Sequence, residues 1–272
     1  MKFCFSHKAT ATVIKTMALL LCLCLGANTA FTAELARDDV KDIVRQLLQD
    51  EPHLVLNALK QNSEAVLEIA QQGNRQRKER LLAQQWKRDA QEPKKVQVES
   101  REFRGSAKAP VSVVVYSDFT CSYCQQGEML LALLLESRKS DIKVVFKPLP
   151  KEENALSLAA AKYSLAAFLQ GAEKGWAFHD ALFARIEEME EKGVTGIHEL
   201  ASSLGLDVKK LQADAAGKRV ETILATDRME ADRLGISGTP YYLVNDLVLR
   251  GAVPKEILEQ AIDTALELTK KQ

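Results

Sequence analysis

The sequence predicts an α/β domain, a small sheet interrupted by a block of helices, with an all-helical segment in front of it. Three observations carry this. Val111-Ser-Val-Val-Val-Tyr116 and Ile142-Lys-Val-Val-Phe146 are short, nearly continuous apolar runs rich in β-branched residues, the pattern of strands buried on both faces. Tyr241-Tyr-Leu-Val244 and Leu247-Val-Leu-Arg250 are joined by Asn245-Asp246, a two-residue hairpin signal. Everything between the second strand and the hairpin, about residues 154–234, carries helical spacing only.

Taken in order, the chain opens with Lys2, Lys8 and Lys15 and no acid, then the apolar run from Met17 to Leu25, then small residues from Gly26 to Ala33. Basic, apolar and small regions in that order form a secretory signal peptide, residues 1–33, with cleavage expected near Ala30 or Ala33. Nine apolar residues are far too few to span a bilayer. Of five cysteines, Cys4, Cys22 and Cys24 leave with this segment, and Cys121 and Cys124 remain. An oxidising space outside the cytoplasm, the periplasm, lets such a pair cycle through a disulfide. The remaining chain has 34 basic and 37 acidic residues, a net charge of −3, which argues against nucleic acid as a partner.

Residues 34–95 read as a helical stalk or oligomerisation region. Val40, Ile43, Val44, Leu47 and Leu48 recur at helical spacing, and Asp50-Glu51-Pro52 ends one helix and opens the next. An isolated apolar stripe needs a partner surface, so residues 34–92 are expected to join copies of the chain or to cap their own domain. The basic cluster Arg75, Arg77, Lys78 and Arg80 is read as a solvated helix face, diluted by Glu79, Asp89 and Glu92.

The pattern changes at Glu92-Pro93-Lys94-Lys95, so a second domain is placed at 96–272. Val96 to Ser100 alternates like an edge strand, and Gly105 to Pro110 is a turn. Helices are expected over 155–169, 176–191, 197–204, 208–215 and 220–234, and Pro254 opens a last one running to about Leu268. Phe178, His179 and Phe183 share a helical face and are read as core of the inserted block.

Cys121-Ser122-Tyr123-Cys124 falls between a buried strand and the start of a helix. A cysteine there meets unpaired backbone N–H groups and the positive end of the helix dipole, both of which favour thiolate over thiol. Cys121 is therefore the expected nucleophile, and Cys124, one turn on, the thiol that resolves a mixed disulfide. A zinc site would need two further ligands, which His53, His179 and His198 do not supply by spacing, and no metal or other cofactor is expected. A static disulfide across so short a loop stabilises little. Gly238-Thr239-Pro240, directly before the hairpin, places a proline where no ladder N–H is needed and where a cis bond fits.

Signal segment, Val111 strand, Ser-Asp-Phe-Thr-Cys-Ser-Tyr-Cys, helical insertion and Gly-Thr-Pro before a hairpin together resemble the DsbA-like thiol:disulfide oxidoreductases of the thioredoxin superfamily, over about residues 100–270. The helical segment in front resembles that of the ScsC-like branch, whose members oligomerise through it. The resemblance implies a thioredoxin fold with a helical insertion, preceded by an α-helical N-terminal stalk. It makes Cys121 the exposed nucleophile and Cys124 its buried partner, gives Ser122 and Tyr123 a part in tuning the pair, and sets Thr239-Pro240 against the cysteines to receive an extended client strand. The implied partners are cysteine-containing exported proteins, a membrane redox partner and further copies of the chain. Many such relatives carry a buried acid six residues before the first cysteine, where this chain has Val115. Asp118 and Glu128 could take over its proton, though both are expected to be solvated surface carboxylates.

These expectations describe a periplasmic enzyme that forms or isomerises disulfides, with isomerisation favoured because several sites around one assembly raise the thiolate concentration near a misfolded client. The competing class is a thiol-based binder without turnover, a copper(I) carrier or a holdase chaperone.

Overall fold

The computed structural model describes residues 37–270, so the expected signal segment and cleavage site lie outside the described residues. The chain divides into two compact units, one up to Arg75 and one from Gln76 onward.

The first unit is helical. α1 (Arg37–Asp50) ends at Glu51-Pro52, α2 (His53–Gln61) begins there, and α3 (Ser63–Asp89) follows Asn62. No residue of α1 or α2 is buried; Val40, Ile43, Val44, Leu47 and Leu48 are 45–54% exposed.

The second unit is built on β1 (Phe103–Gly105), β2 (Val111–Ser117), β3 (Ile142–Pro148), β4 (Tyr241–Val244) and β5 (Leu247–Arg250). The spatial order is β1-β3-β2-β4-β5. β2 and β3 are parallel, with Val113 opposite Val144 and Val115 opposite Phe146; the other pairings are antiparallel. The parallel pair needs a crossover, and α4 (Ser122–Ser137) supplies it. Val111, Val113 and Val115 enter one core, while Val114 and Tyr116 enter another on the opposite face, which is why β2 carries almost no polar residue.

The inserted block comprises α5 (Ala155–Phe168), α6 (Ala172–Ala184), α7 (Ile186–Lys192), α8 (Val194–Ser203), α9 (Val208–Ala215) and α10 (Lys218–Arg233); α11 (Lys255–Thr269) closes the chain. The run read as one helix from Trp176 to Glu191 breaks at Arg185, whose backbone is not helical (φ −126°, ψ 24°). The break lets α7 bury Ile186 and Met189, a gain that outweighs one uninterrupted helix.

The edge strand lies at 103–105 and not at 96–100. Backbone groups of the expected strand are taken by side chains instead: the Gln97 N–H donates to Glu230, and the Val98 N–H donates to Glu99. Val96 and Val98 still pack on the core beneath. The hairpin forms as read, with Asn245 at φ 50°, the left-handed region that asparagine tolerates.

β5 is an edge strand, and the last turn of α3 covers it. The indole of Trp86, 2% exposed, donates to the Val248 carbonyl at 3.2 Å, and Asp89 accepts from the Val248 N–H at 3.1 Å. Trp86→Ala is expected to cost about 3–5 kcal/mol by denaturant unfolding. A loss under about 1 kcal/mol would mean that this turn of α3 is not part of the folding unit.

A charged cluster sits under the sheet. Lys147 of β3 is fully buried and bonds Glu230 of α10, which also accepts from the Tyr116 hydroxyl; Lys147 lies 3.3 Å and Arg101 2.9 Å from Asp227. Burial pulls the Glu230 carboxyl upward, but hydrogen bonds from Lys147, Tyr116 and the Gln97 N–H outweigh it and hold the group below its ordinary range. Burial raises Asp227, only partly offset by Arg101 and Lys147.

Candidate active site

β2 ends at Ser117, and the loop Asp118-Phe119-Thr120 carries the chain to Cys121, the N-cap of α4 with extended backbone (φ −94°, ψ 116°). No side chain caps this terminus, and the cysteine itself stands at the positive end of the helix. Cys121 is half-buried, Ser122 is exposed and Tyr123 is 60% exposed; Cys124, on the inner side of the first turn, is 1% exposed. Both cysteines are free thiols.

The Thr239-Pro240 peptide is cis and faces the pair. The Thr239 carbonyl oxygen is 3.7 Å from Cys121 Sγ. Pro240 is buried, while Thr239 is half-buried and its backbone borders a surface groove of about 560 Å³ that also touches Glu152, Arg228 and Asp232. The structure thus brings together all six residues singled out by the sequence. Cys121 and Cys124 open one helix, Ser122 and Tyr123 lie on its outer side, and Thr239-Pro240 crosses in front of the sulfurs.

The two sulfurs live in different surroundings. Burial is the largest influence on the Cys124 thiol and pushes it up to about 12, against hydrogen bonds from Ser117, Thr239 and the Asp118 N–H, the last at 3.4 Å. At neutral pH, iodoacetamide is therefore expected to modify Cys121 and to leave Cys124 unmodified until the chain unfolds, as read by peptide mass mapping. Equal labelling of both in the folded protein would contradict the burial of Cys124.

Asp118 and Glu128, expected on the surface, are not there. Asp118 is 1% exposed, with Oδ1 held by the Thr120 N–H (2.9 Å), the Thr120 hydroxyl (3.0 Å) and the Ser157 hydroxyl (2.8 Å). The Glu128 side chain is 15% exposed and lies 3.8 Å from His179 Nε2. The inserted helices α5 and α6 cover both, a burial that no local pattern announces. His179 is fully buried among the rings of Phe119, Phe146, Trp176 and Phe183, with centroids 4.4–5.6 Å away, as its helical spacing suggested.

Sequence reasoning passed over Tyr242 entirely. It is fully buried and stands opposite Val115 in the sheet. Its hydroxyl lies over Gly127 so closely that a Cβ there would fall 2.1 Å away, which is why α4 carries glycine one turn after Cys124. The signal was available in the glycine: a helix interior accepts its cost only where something presses close.

The thioredoxin family profile (Thioredoxin_4) matches residues 97–264. Among curated proteins, an Na(+)/H(+) antiporter NhaA of Salinispora arenicola is 34% identical over 168 residues. The match takes in 61% of this chain but only 25% of the antiporter, so the chain spans about a quarter of that relative's length. No helix among the described residues is long and apolar enough to cross a membrane. A thioredoxin-like oxidoreductase from Silicibacter pomeroyi is 29% identical with TM-score 0.54, covering 62% of this chain and 94% of that one. A linker-deletion mutant of ScsC from Proteus mirabilis, 20% identical with TM-score 0.53, covers 89% of this chain and 99% of that one, a likeness of fold that reaches beyond residues 97–264. The strand, Cys-x-x-Cys helix and cis-proline loop are those of this fold, and the chain belongs to the thioredoxin family.

Proposed function

We propose that this protein is a periplasmic thiol:disulfide oxidoreductase that forms or shuffles disulfides in exported proteins through Cys121 and Cys124. The observation that carries this reading is the placement of Cys121 at an uncapped helix N-terminus, 3.7 Å from the Thr239 carbonyl, with Cys124 buried one turn behind it. Cys121 attacks a client disulfide sulfur, one client sulfur leaves as thiolate, and a mixed disulfide forms. Either a client thiolate or Cys124 then releases the enzyme. The backbone of Thr239 offers an extended client the edge contacts that hold its cysteine in line. A relative from Salmonella enterica serovar Typhimurium described as a periplasmic thioredoxin-like protein shares the fold, in keeping with the signal segment of this chain.

The exposed apolar residues of α1 and α2 are read as the surface that joins copies of the chain, which favours isomerisation by gathering several thiolates around one client. In sedimentation, the protein is expected to run as an oligomer and the Ile43→Glu, Leu47→Glu double variant as a monomer. An unchanged sedimentation coefficient would remove this surface from the assembly. Refolding of a scrambled disulfide substrate tests the activity: catalytic turnover supports the reading, and stoichiometric binding without turnover replaces it with a carrier or holdase. Alkylation of the pair in cells separates the directions, since a reduced pair marks an isomerase or reductase and an oxidised pair an oxidase.

A further inference from the structure

The segment from Val96 to Ser100 has the alternation of an edge strand yet joins no strand of the sheet. It keeps a strand's two faces: Val96 and Val98 are half-buried against the core, while Lys95, Gln97 and Glu99 are exposed. Carboxylates take the Gln97 and Val98 N–H groups, but among the described residues the Val96 N–H and the Val96 and Gln97 carbonyls have no hydrogen-bond partner. Opposite runs α10, and between the two lie adjoining hollows of about 660 and 420 Å³ that share Gln97 and Thr226. Ile223, Thr226 and Met229 line the helix side, and Met229 is 70% exposed. From Arg219 to Arg233 this wall is about 21 Å long at the helical rise, room for about six extended residues.

Charge decides what fits. Asp227 and Glu230 at the inner side of the groove are engaged by Lys147, Arg101 and the Tyr116 hydroxyl. Lys94, Lys95, Lys218, Arg219 and Arg233 then face one remaining acid, Glu99. Lys94 and Arg233 donate to backbone carbonyls, and no carboxylate among the described residues pairs with Lys95, Lys218 or Arg219. The groove is lined by no aromatic ring on which a nucleobase could stack, and a walled channel does not match a flat lipid surface. The groove beside Thr239 takes Arg228 and Asp232 from the same helix, so α10 is the ridge between the two.

We propose that the groove between residues 94–101 and α10 holds an extended acidic segment of the polypeptide whose disulfide Cys121 attacks. The segment lies along Val96 and Gln97 as an added strand, with its carboxylates toward Lys95, Lys218 and Arg219. One helix, about 10–12 Å across, separates it from the cis-proline loop. A client held at both places stays near Cys121 between successive exchanges, which raises its effective concentration there.

The identity of the occupant rests on the exchange activity proposed above, whereas binding is measured without cysteine. A fluorescein-labelled octapeptide of alternating glutamate and threonine is titrated with the full protein and followed by anisotropy. It is expected to bind about 10-fold more tightly than the matching lysine–threonine peptide, because exposed ion pairs contribute a few-fold each. The preference should vanish in the triple variant Lys95→Glu, Lys218→Glu, Arg219→Glu and shrink in high salt. All three side chains are exposed, so an unchanged melting temperature is expected to show the variant folded. N-methylation of alternate peptide groups, which removes ladder donors, should weaken binding in one of the two registers. Equal affinity for the acidic and basic peptides would overturn the proposal, as would an unchanged preference in the triple variant or full affinity in both N-methylated registers. Tighter binding of a polyphosphate of the same charge would also overturn it and make the groove a general polyanion site. Attached to a peptide disulfide substrate, the acidic segment should lower KM about 10-fold against the lysine version with kcat unchanged, a difference that the triple variant removes. An equal KM for the two substrates would overturn the client as occupant. Exchange with neither substrate, alongside retained binding of the acidic peptide, would overturn the exchange activity and leave the groove's acidic preference standing.

Discussion

Cys121→Ser is expected to leave the fold intact and to abolish disulfide exchange, with scrambled-substrate refolding falling by at least about 10³-fold, the scale on which removing an attacking nucleophile acts. The serine hydroxyl keeps the shape of the helix terminus but is a far poorer nucleophile than sulfur towards a disulfide. Cys124→Ser should behave differently. Cys121 still attacks, and the mixed disulfide now persists because nothing behind it can close the ring, so client peptides accumulate as covalent adducts visible on non-reducing gels. The contrast is the informative part: an adduct with Cys124→Ser and none with Cys121→Ser assigns attack and resolution to separate sulfurs. Adducts at Cys124 in the Cys121→Ser variant would reverse the assignment and conflict with the 1% exposure of Cys124.

The largest expected effect on stability lies on the opposite face of the sheet. Glu230→Ala strands the fully buried Lys147 ammonium beside a single raised carboxyl, Asp227, and also removes the acceptor of the Tyr116 hydroxyl. Breaking a buried pair by removing one member costs about 3–5 kcal/mol. At roughly 2–4 °C per kcal/mol for a domain of this size, the melting temperature should fall by about 10 °C or more. A fall of under about 2 °C would show that the cluster is wet and weak. The pH dependence follows from Glu230 being held below its ordinary value: its contribution is complete above that value and is lost as pH falls through the lowered one. Asp227, being raised, acts in the opposite sense, because protonating it between its raised and ordinary values relieves a cost that the folded state carries at neutral pH. Glu230→Gln should therefore flatten the acid side of the stability curve more than Asp227→Asn does.

How much of this was legible beforehand depends on whether the signal was local. The boundaries of β2, α9 and the hairpin follow from apolar patterning and turn chemistry within a few residues of each position, and the structure has them where the sequence puts them. The Cys-x-x-Cys pair and Gly-Thr-Pro were readable for the same reason, since each lies at a junction that its own residues define. Val96 to Ser100 shows the limit: alternation marks a strand, but a strand needs a neighbour with free ladder groups, and the Glu230 and Glu99 side chains bind this backbone instead. Lys147 marks another, since a lysine at the end of a strand is ordinarily a solvent residue until a helix 83 positions later brings Glu230 to it.

By itself, then, the amino-acid order determined where the two thiols sit, at the start of a helix, which loop faces them and in what order strands and helices succeed one another, because these depend on short-range periodicity, turns and helix termini. Only the tertiary structure decided which carboxylates are dry, that Tyr242 stands over Gly127 beside Cys124, and that a lysine belongs inside the sheet. Burial is set by what packs from elsewhere in the chain, and the protonation chemistry of a buried thiol is set by burial.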